Sequence, residues 1–303
     1  MNAVEAQPIA PAAAPAQTRP MYWSIRRELW ENRSIYLAPL IVAAVVLFGY
    51  LMSTIGLPQR RRAALLLDQA HQRAAIQAPY DAAAGMIIVI AFIVGVFYCL
   101  DALHGERRDR SILFWKSLPV SDRITVLSKA AVPLIILPLI SLVIILVTQL
   151  IMLMLSTAVL LASGANAAML SPQLRFTMAP VPLVYTIIVI ALWHAPIYSW
   201  LLLISGWARR ATFLWAVLPF VAIAFLEKIA FNTTHFLALV KYRLFGWFAQ
   251  AAIVQPKGSP PIDPMSALTP GRFLATPGLW FGLIFAAVFL AAAVRLRRYR
   301  EPM

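Results

Sequence analysis

A chain of 303 residues that is 61% hydrophobic and only 13% charged, with a mean hydropathy of +0.78, excludes a soluble globular domain. Its net charge of +14 does not argue for a nucleic-acid partner, because Lys and Arg gather at the ends of long apolar runs, where the positive-inside rule puts them. The single cysteine, Cys99, lies inside an apolar run and excludes a disulfide framework or a thiolate metal site.

In chain order, residues 1–20 are Ala/Pro-rich and nearly uncharged, without the apolar stretch and cleavage site of a signal peptide, and read as a disordered tail. Residues 21–35 fit a short helix. Tyr22, Ile25, Leu29 and Trp30 fall toward one side and Arg27, Glu28 and Glu31 toward the other, the pattern of an interfacial helix on the inner membrane surface. An ordinary charged flank of the first span is the plainer alternative. Arg26 and Arg33 fall in the apolar sector and must snorkel to headgroups or meet a partner.

Six spans are expected, over residues 36–56, 82–100, 130–161, 181–206, 212–230 and 279–294. The fold class is therefore an all-α integral membrane protein. The third span is long enough to tilt or project, and Pro133 and Pro138 predict a kink in its first turns. With both termini inside, the inner segments hold 16 Lys and Arg and the outer segments 9, although Arg60, Arg61 and Arg62 in the first outer loop run against the rule. The outer segment 231–278 contains a helix-compatible stretch with Lys241 and Arg243 in its middle, expected to lie on or dip into the outer leaflet. A seventh span there would expose four terminal arginines outside.

The polar interruption at residues 101–129, DALHGERRDRSILFWKSLPVSDRITVLSK, is where function is sought first. From 106 to 118 it permits a helix ended by Pro119, with Ser111, Phe114, Trp115 and Leu118 on one side and Asp109, Arg110, Lys116 and Ser117 on the other. Ser121 or Asp122 supplies an N-cap for the third span. Large aromatics beside arginines suit a protein interface, and equally a helix lying among headgroups.

The run Glu106-Arg-Arg-Asp-Arg-Ser111, then Phe114-Trp115-Lys116, Pro119-Val-Ser121 and Lys129, resembles the loop between the second and third helices of ABC-2 type permeases. It departs in having Arg110-Ser111 where Gly-Thr is usual, and Phe114-Trp115-Lys116 where leucines are common. The resemblance extends to the plan of residues 21–303 as one ABC-2 type transmembrane domain. It implies a permease subunit paired with a second permease subunit, identical or related, each docked on a separate cytosolic ABC ATP-binding subunit that holds ATP and Mg. Residues 106–119 would form the coupling helix, carried here by Glu106, Arg107, Arg108, Asp109, Arg110, Ser111, Phe114, Trp115, Lys116, Leu118 and Pro119. Arg27, Glu28 and Glu31 would add contacts to the ATPase. Export, and an inner membrane with both termini cytoplasmic, follow from the same resemblance.

No GxxxxGK[ST] phosphate loop occurs in the chain, so it is not expected to hydrolyse ATP itself. His71, His104, His194 and His235 lack the close spacing of metal ligands, and no cofactor is expected. His194, beside Pro196, and Glu227 with Lys228 are the ionisable residues within spans. Each is a candidate for the translocation path, against a structural role: a carbonyl partner for His194, headgroup or loop pairing for the other two. The alternatives to a permease are a secondary transporter, for which no internal repeat is found, and a non-catalytic membrane scaffold.

Overall fold

The computed structural model describes residues 19–109, 111, 120–164, 180–247, 268 and 270–299. The expected tail lies outside them, apart from Arg19 and Pro20, as does the Pro/Gly-rich return after residue 255 up to Leu268. Every element among the described residues is helical, and six helices are long and apolar enough to cross a membrane, so the chain is a multi-pass membrane protein.

The chain opens with α1 (Pro20–Glu31), where Pro20 occupies the first turn, in which a missing N–H costs nothing. It continues through α2 (Ser34–Ser53), a 3-10 turn (Thr54–Gly56), α3 (Leu57–Leu65), α4 (Gln69–Ala102) and α5 (His104–Arg108). The second half holds α6 (Asp122–Ala131), α7 (Leu137–Ala162), α8 (Pro180–Trp207), α9 (Thr212–Phe231), α10 (His235–Phe245), α11 (Pro270–Leu274) and α12 (Pro277–Tyr299).

The fourth and fifth spans match their expected limits closely, the sixth runs on to Tyr299 past its expected end at Val294, and the first three are longer. Helix runs past the apolar stretch of α2 into the arginines of α3, and α4 begins 13 residues before the expected start at Ala82. Hydropathy marks where lipid begins, whereas Ala, Gln and Arg sustain a helix beyond it. The kink expected at Pro133 takes the form of a π segment, Val132–Ile136, joining α6 to α7. Proline lacks the N–H of an α-helical bond, and a wider turn absorbs the defect.

The core lies among α2, α4, α7 and α8, with α12 packed along α8. Tyr98, Cys99 and Leu100 of α4 meet Leu201 and Leu202 of α8, with Ile35, Val132 and Leu137 closing the cluster. Cys99 is a free, fully buried thiol that serves packing. The exterior is apolar as well: Val45, Phe48, Phe97, Met154, Phe225 and Phe281 all face outward, as a lipid-solvated bundle requires. Several hydroxyls inside spans are satisfied within their own helix, while Ser199 and Tyr185 of α8 find no partner among the described residues. Ser141 donates to the Leu137 carbonyl at 2.8 Å, Thr148 to Ile144 at 2.7 Å and Thr186 to Pro182 at 2.9 Å. Helix α9 leans on the outside, with Ala216 its one buried residue.

Helix α4 approaches α8 closely at Gly95, where a Cβ would stand 2.9 Å from Cε1 of Tyr198. Gly95→Val is therefore expected to destabilise the bundle by about 1–3 kcal/mol. Gly85→Ala, on the same helix but with nothing within 4 Å of the new methyl, should leave it unharmed. Thermal midpoints of the detergent-purified proteins check both, and equal midpoints for Gly95→Val and wild type would refute the close-approach account.

Candidate functional site

At one end of the bundle four separate stretches of chain bring six ionisable side chains together. Glu28 lies on the third turn of α1, Glu106 on α5, Lys129 at the end of α6 and Arg297 in the last turn of α12. Lys129 Nζ lies 2.8 Å from Glu28 Oε1 and 3.1 Å from Glu106 Oε1. Arg27 Nη2 bridges the same two carboxylates at 2.7 and 2.9 Å. The other oxygen of Glu106 accepts from Arg297 Nη1, while Arg297 Nε reaches Asp122 Oδ1 at 3.1 Å. Tyr98 closes the cluster from α4, donating from its hydroxyl to Glu28 Oε2 at 2.9 Å.

The buried members balance, Glu28 and Glu106 against Lys129 and Arg297, while Glu31, 3.5 Å from Arg27, stays at the exposed rim. Neutrality is what allows the burial, since Glu28 is 1% exposed, Lys129 2%, Arg297 6% and Glu106 8%. Burial disfavours the Arg27 charge, but the carboxylates of Glu28, Glu106 and Glu31 outweigh it and raise the guanidinium pKa above its ordinary value.

A second set of contacts holds α5 against α8. The Ser205 hydroxyl accepts from the backbone N–H groups of Leu103 and His104 at 3.0 and 2.9 Å, satisfying donors left open where α4 gives way to α5. Arg107 Nη1 donates to the Gly206 carbonyl at 2.7 Å, one of the acceptors left by the last turn of α8. Ser121 accepts from the Ile124 N–H at 3.3 Å and is the N-cap of α6, while Asp122 in the first turn serves Arg297 instead. A cavity of about 540 Å³ opens beside this end, lined by Val120, Ser121, Asp122, Arg123, Val294, Arg297 and Arg298.

These positions revise the expected docking surface. Glu106 and Arg107 point into the protein, bound to internal partners, and do not form a solvent-facing contact. Helix α5 stops at Arg108, so the helix expected from 106 to 118 does not run unbroken from Glu106. Arg108 and Asp109 are exposed and paired at 3.0 Å, and half-buried Ser111 donates to the Glu106 carbonyl at 3.4 Å. Arg110, Phe114, Trp115, Lys116, Leu118 and Pro119 lie outside the described residues.

Helix α1 sits opposite to expectation. Glu28 and Arg27 on its charged side face the bundle, and Tyr22, Trp23 and Trp30 face outward, with the Arg26 guanidinium 4.5 Å from the Trp30 ring centroid. Periodicity identifies two faces but cannot say which of them finds buried counter-charges. Of the three residues expected to touch a partner, Glu31 alone is well exposed, and it pairs with Arg27 at 3.5 Å.

The candidates in the spans separate. Glu227 caps α10: its Oε1 accepts from Thr233 Oγ1 and the His235 N–H, each at 2.7 Å, and its Oε2 accepts from the Phe236 N–H at 2.8 Å. Lys228 is exposed. His194 is buried midway along α8, with Nδ1 2.8 Å from the Ile190 carbonyl and Nε2 3.4 Å from that of Leu244. The carbonyl partner expected for it exists, although it is its own i−4 neighbour rather than the Leu192 carbonyl that Pro196 leaves free.

Its second contact reveals what hydropathy did not. Helix α10, too short at 11 residues to span, reaches the middle of α8. There Trp193 Nε1 donates to the Arg243 carbonyl at 3.0 Å, and the Arg243 guanidinium lies 4.8 Å from the Trp193 ring centroid while donating to the Gly278 carbonyl at 2.9 Å. Among the described residues no group of three His, Cys, Asp or Glu side chains is placed to hold a metal. No family model, curated protein or solved structure matches the chain.

Removing one member of the ion network leaves the others buried and unbalanced, so Glu106→Gln is expected to cost about 3–5 kcal/mol of stability. Glu28→Gln combined with Lys129→Met removes one charge of each sign, and should cost less than the sum of the two single changes. Arg108→Ala, at the exposed surface, should stay within about 0.5 kcal/mol of wild type. Thermal or denaturant unfolding in one detergent reads all of these, and strict additivity of the pair would refute the network.

Proposed function

We propose that this chain is the membrane-spanning permease subunit of an ATP-driven exporter of the ABC-2 type. It works with a second permease subunit, a copy or a related chain, and with a separate cytosolic ATP-binding subunit that carries ATP and Mg. The end of the bundle holding the ion network faces the cytosol, the membrane is a cell inner membrane, and both termini are cytoplasmic. The excess of Lys and Arg in the segments at that end supports this orientation.

The observation that carries the reading is the attachment of the 106–119 segment. Its first residue, Glu106, is joined to α1 through Arg27, to α6 through Lys129 and to α12 through Arg297, and the next, Arg107, is joined to α8. A displacement applied to this segment by a docked ATPase is therefore shared by the surface helix and three spans, rather than absorbed in a loose loop. Closure of the paired ATPase subunits biases the permease between inward and outward states to the extent that the two states bind differently. In this division of labour Glu106 and Arg107 transmit force from inside the fold, and the contact surface falls to Arg108, Asp109, Arg110, Phe114, Trp115, Lys116 and Leu118.

The test is co-purification of a neighbouring-gene ATP-binding subunit through a tag on this chain. Wild type should retain it, and Phe114→Ala/Trp115→Ala should reduce retention by about tenfold or more, as loss of aromatic anchors does at interfaces. Substrate-stimulated ATPase activity should fall in parallel. If no ATP-binding subunit associates with wild type, the permease reading is wrong and a secondary transporter or scaffold replaces it.

A further inference from the structure

The opposite end of the bundle contains a buried cation of a different kind. Arg61, on α3, is 8% exposed, and its Nη1 is enclosed without a hydrogen-bond partner. Among the described residues no carboxylate lies within ion-pair distance of it, and the titratable groups in its neighbourhood are Tyr50 and Tyr80. Tyr80 OH lies 3.4 Å from Ser156 Oγ, and the two tyrosine ring centroids are 6.2 Å apart, so α2, α4 and α7 share a polar cluster in the neighbourhood of Arg61. The carboxylates of the adjoining sequence are engaged or turned away: Asp68 Oδ1 is 2.5 Å from His71 Nδ1, and Asp81 is exposed.

Arginine cannot shed its proton to escape this position, and no carboxylate among the described residues neutralises it, which leaves the site open to a counter-charge from outside the fold. Its depth indicates what is available there. Twenty residues of α2 rise about 30 Å, the thickness of the hydrocarbon core, and Arg61 follows a little over two turns later, on the headgroup side of that boundary. Tyrosines beside it are the residues favoured at that interface. The flanking arginines behave differently. Arg60 folds back onto the Ser53 and Gly56 carbonyls, ending α2, while Arg62 is exposed.

We propose that Arg61, with the Tyr50 and Tyr80 hydroxyls beside it, is the seat of a phosphate-bearing anion, recognised by its charge and its acceptor oxygens. The binding chemistry is that of a phosphate ester, supplied by an anionic lipid headgroup or by a soluble phosphate. It explains Arg61 where the positive-inside rule disfavours a cation, and it stands independently of the permease reading.

The full-length purified chain in detergent is titrated with phosphatidylglycerol, with phosphatidylcholine of the same acyl chains and with glycerol phosphate, reading bound ligand by native mass spectrometry and the thermal midpoint. Phosphatidylglycerol should bind and raise the midpoint, and Arg61→Met should weaken that binding about tenfold. Tyr80→Phe should weaken it less, and Arg62→Ala should leave it within about twofold. Because an unpaired buried cation burdens the unliganded fold, Arg61→Met should be no less stable than wild type in lipid-free detergent, so its folding does not confound the comparison. Arg61-dependent binding of glycerol phosphate as well would identify a soluble anion as sufficient, and binding of phosphatidylglycerol alone would identify the lipid. Equal binding of every probe by wild type and Arg61→Met overturns the proposal, as does a large loss of lipid-free stability in Arg61→Met, which would mean that Arg61 is fully partnered within the fold.

Discussion

A carboxylate taken out of water must find its compensation inside the fold, and Glu106 finds it in three cations carried by three different helices. Dielectric screening is weak in such a place, so each partner is held by the need to avoid an uncompensated charge as much as by attraction. The position of α1, the end of α12 and the entry of the third span are consequently not independent. All three are fixed against the start of the polar segment that separates the second and third spans. The neutrality of the cluster makes the arrangement tolerable, and its several anchors make it stiff.

Further polar groups in the bundle are satisfied by different means. Ser141, Thr148 and Thr186 bond to carbonyls of their own helix, Ser205 caps the donors at the start of α5, and Glu227 caps α10. Helix α10 enters the bundle through a notch on α12, where a Cβ at Gly282 would collide with the Arg243 guanidinium. That guanidinium retains one carbonyl bond and the face of Trp193 as compensation. Two arginines, Arg61 and Arg243, thus sit in the half of the bundle remote from the ion network with incomplete hydrogen bonding. They mark where the fold is least self-sufficient.

Much of the architecture was legible without coordinates. Lipid imposes a length and a polarity, so the six spans could be read from hydropathy alone, and the Ser121 cap and the break at Pro133 from local stereochemistry. The candidate site was only half legible. Glu106 and Lys129 were singled out by a motif, whereas Arg297 looked like one of several arginines in a basic terminal stretch and Tyr98 like another aromatic in a span. Nothing local distinguishes an arginine that snorkels from one that turns inward, because the difference lies in whether a carboxylate 191 residues away arrives beside it.

The sequence by itself determined that this protein crosses a membrane six times by helices, and where its polar interruption falls, since both follow from the cost of exposing backbone and charge to hydrocarbon. Tertiary structure decided which charges are neutralised internally. It turned the charged side of α1 toward the bundle, buried Glu106 and Arg107, and brought Arg243 to the middle of α8. The physical reason is that a single helix fixes only the angular spacing of its side chains. The sign and distance of the nearest counter-charge are properties of how helices far apart in the chain come to lie together.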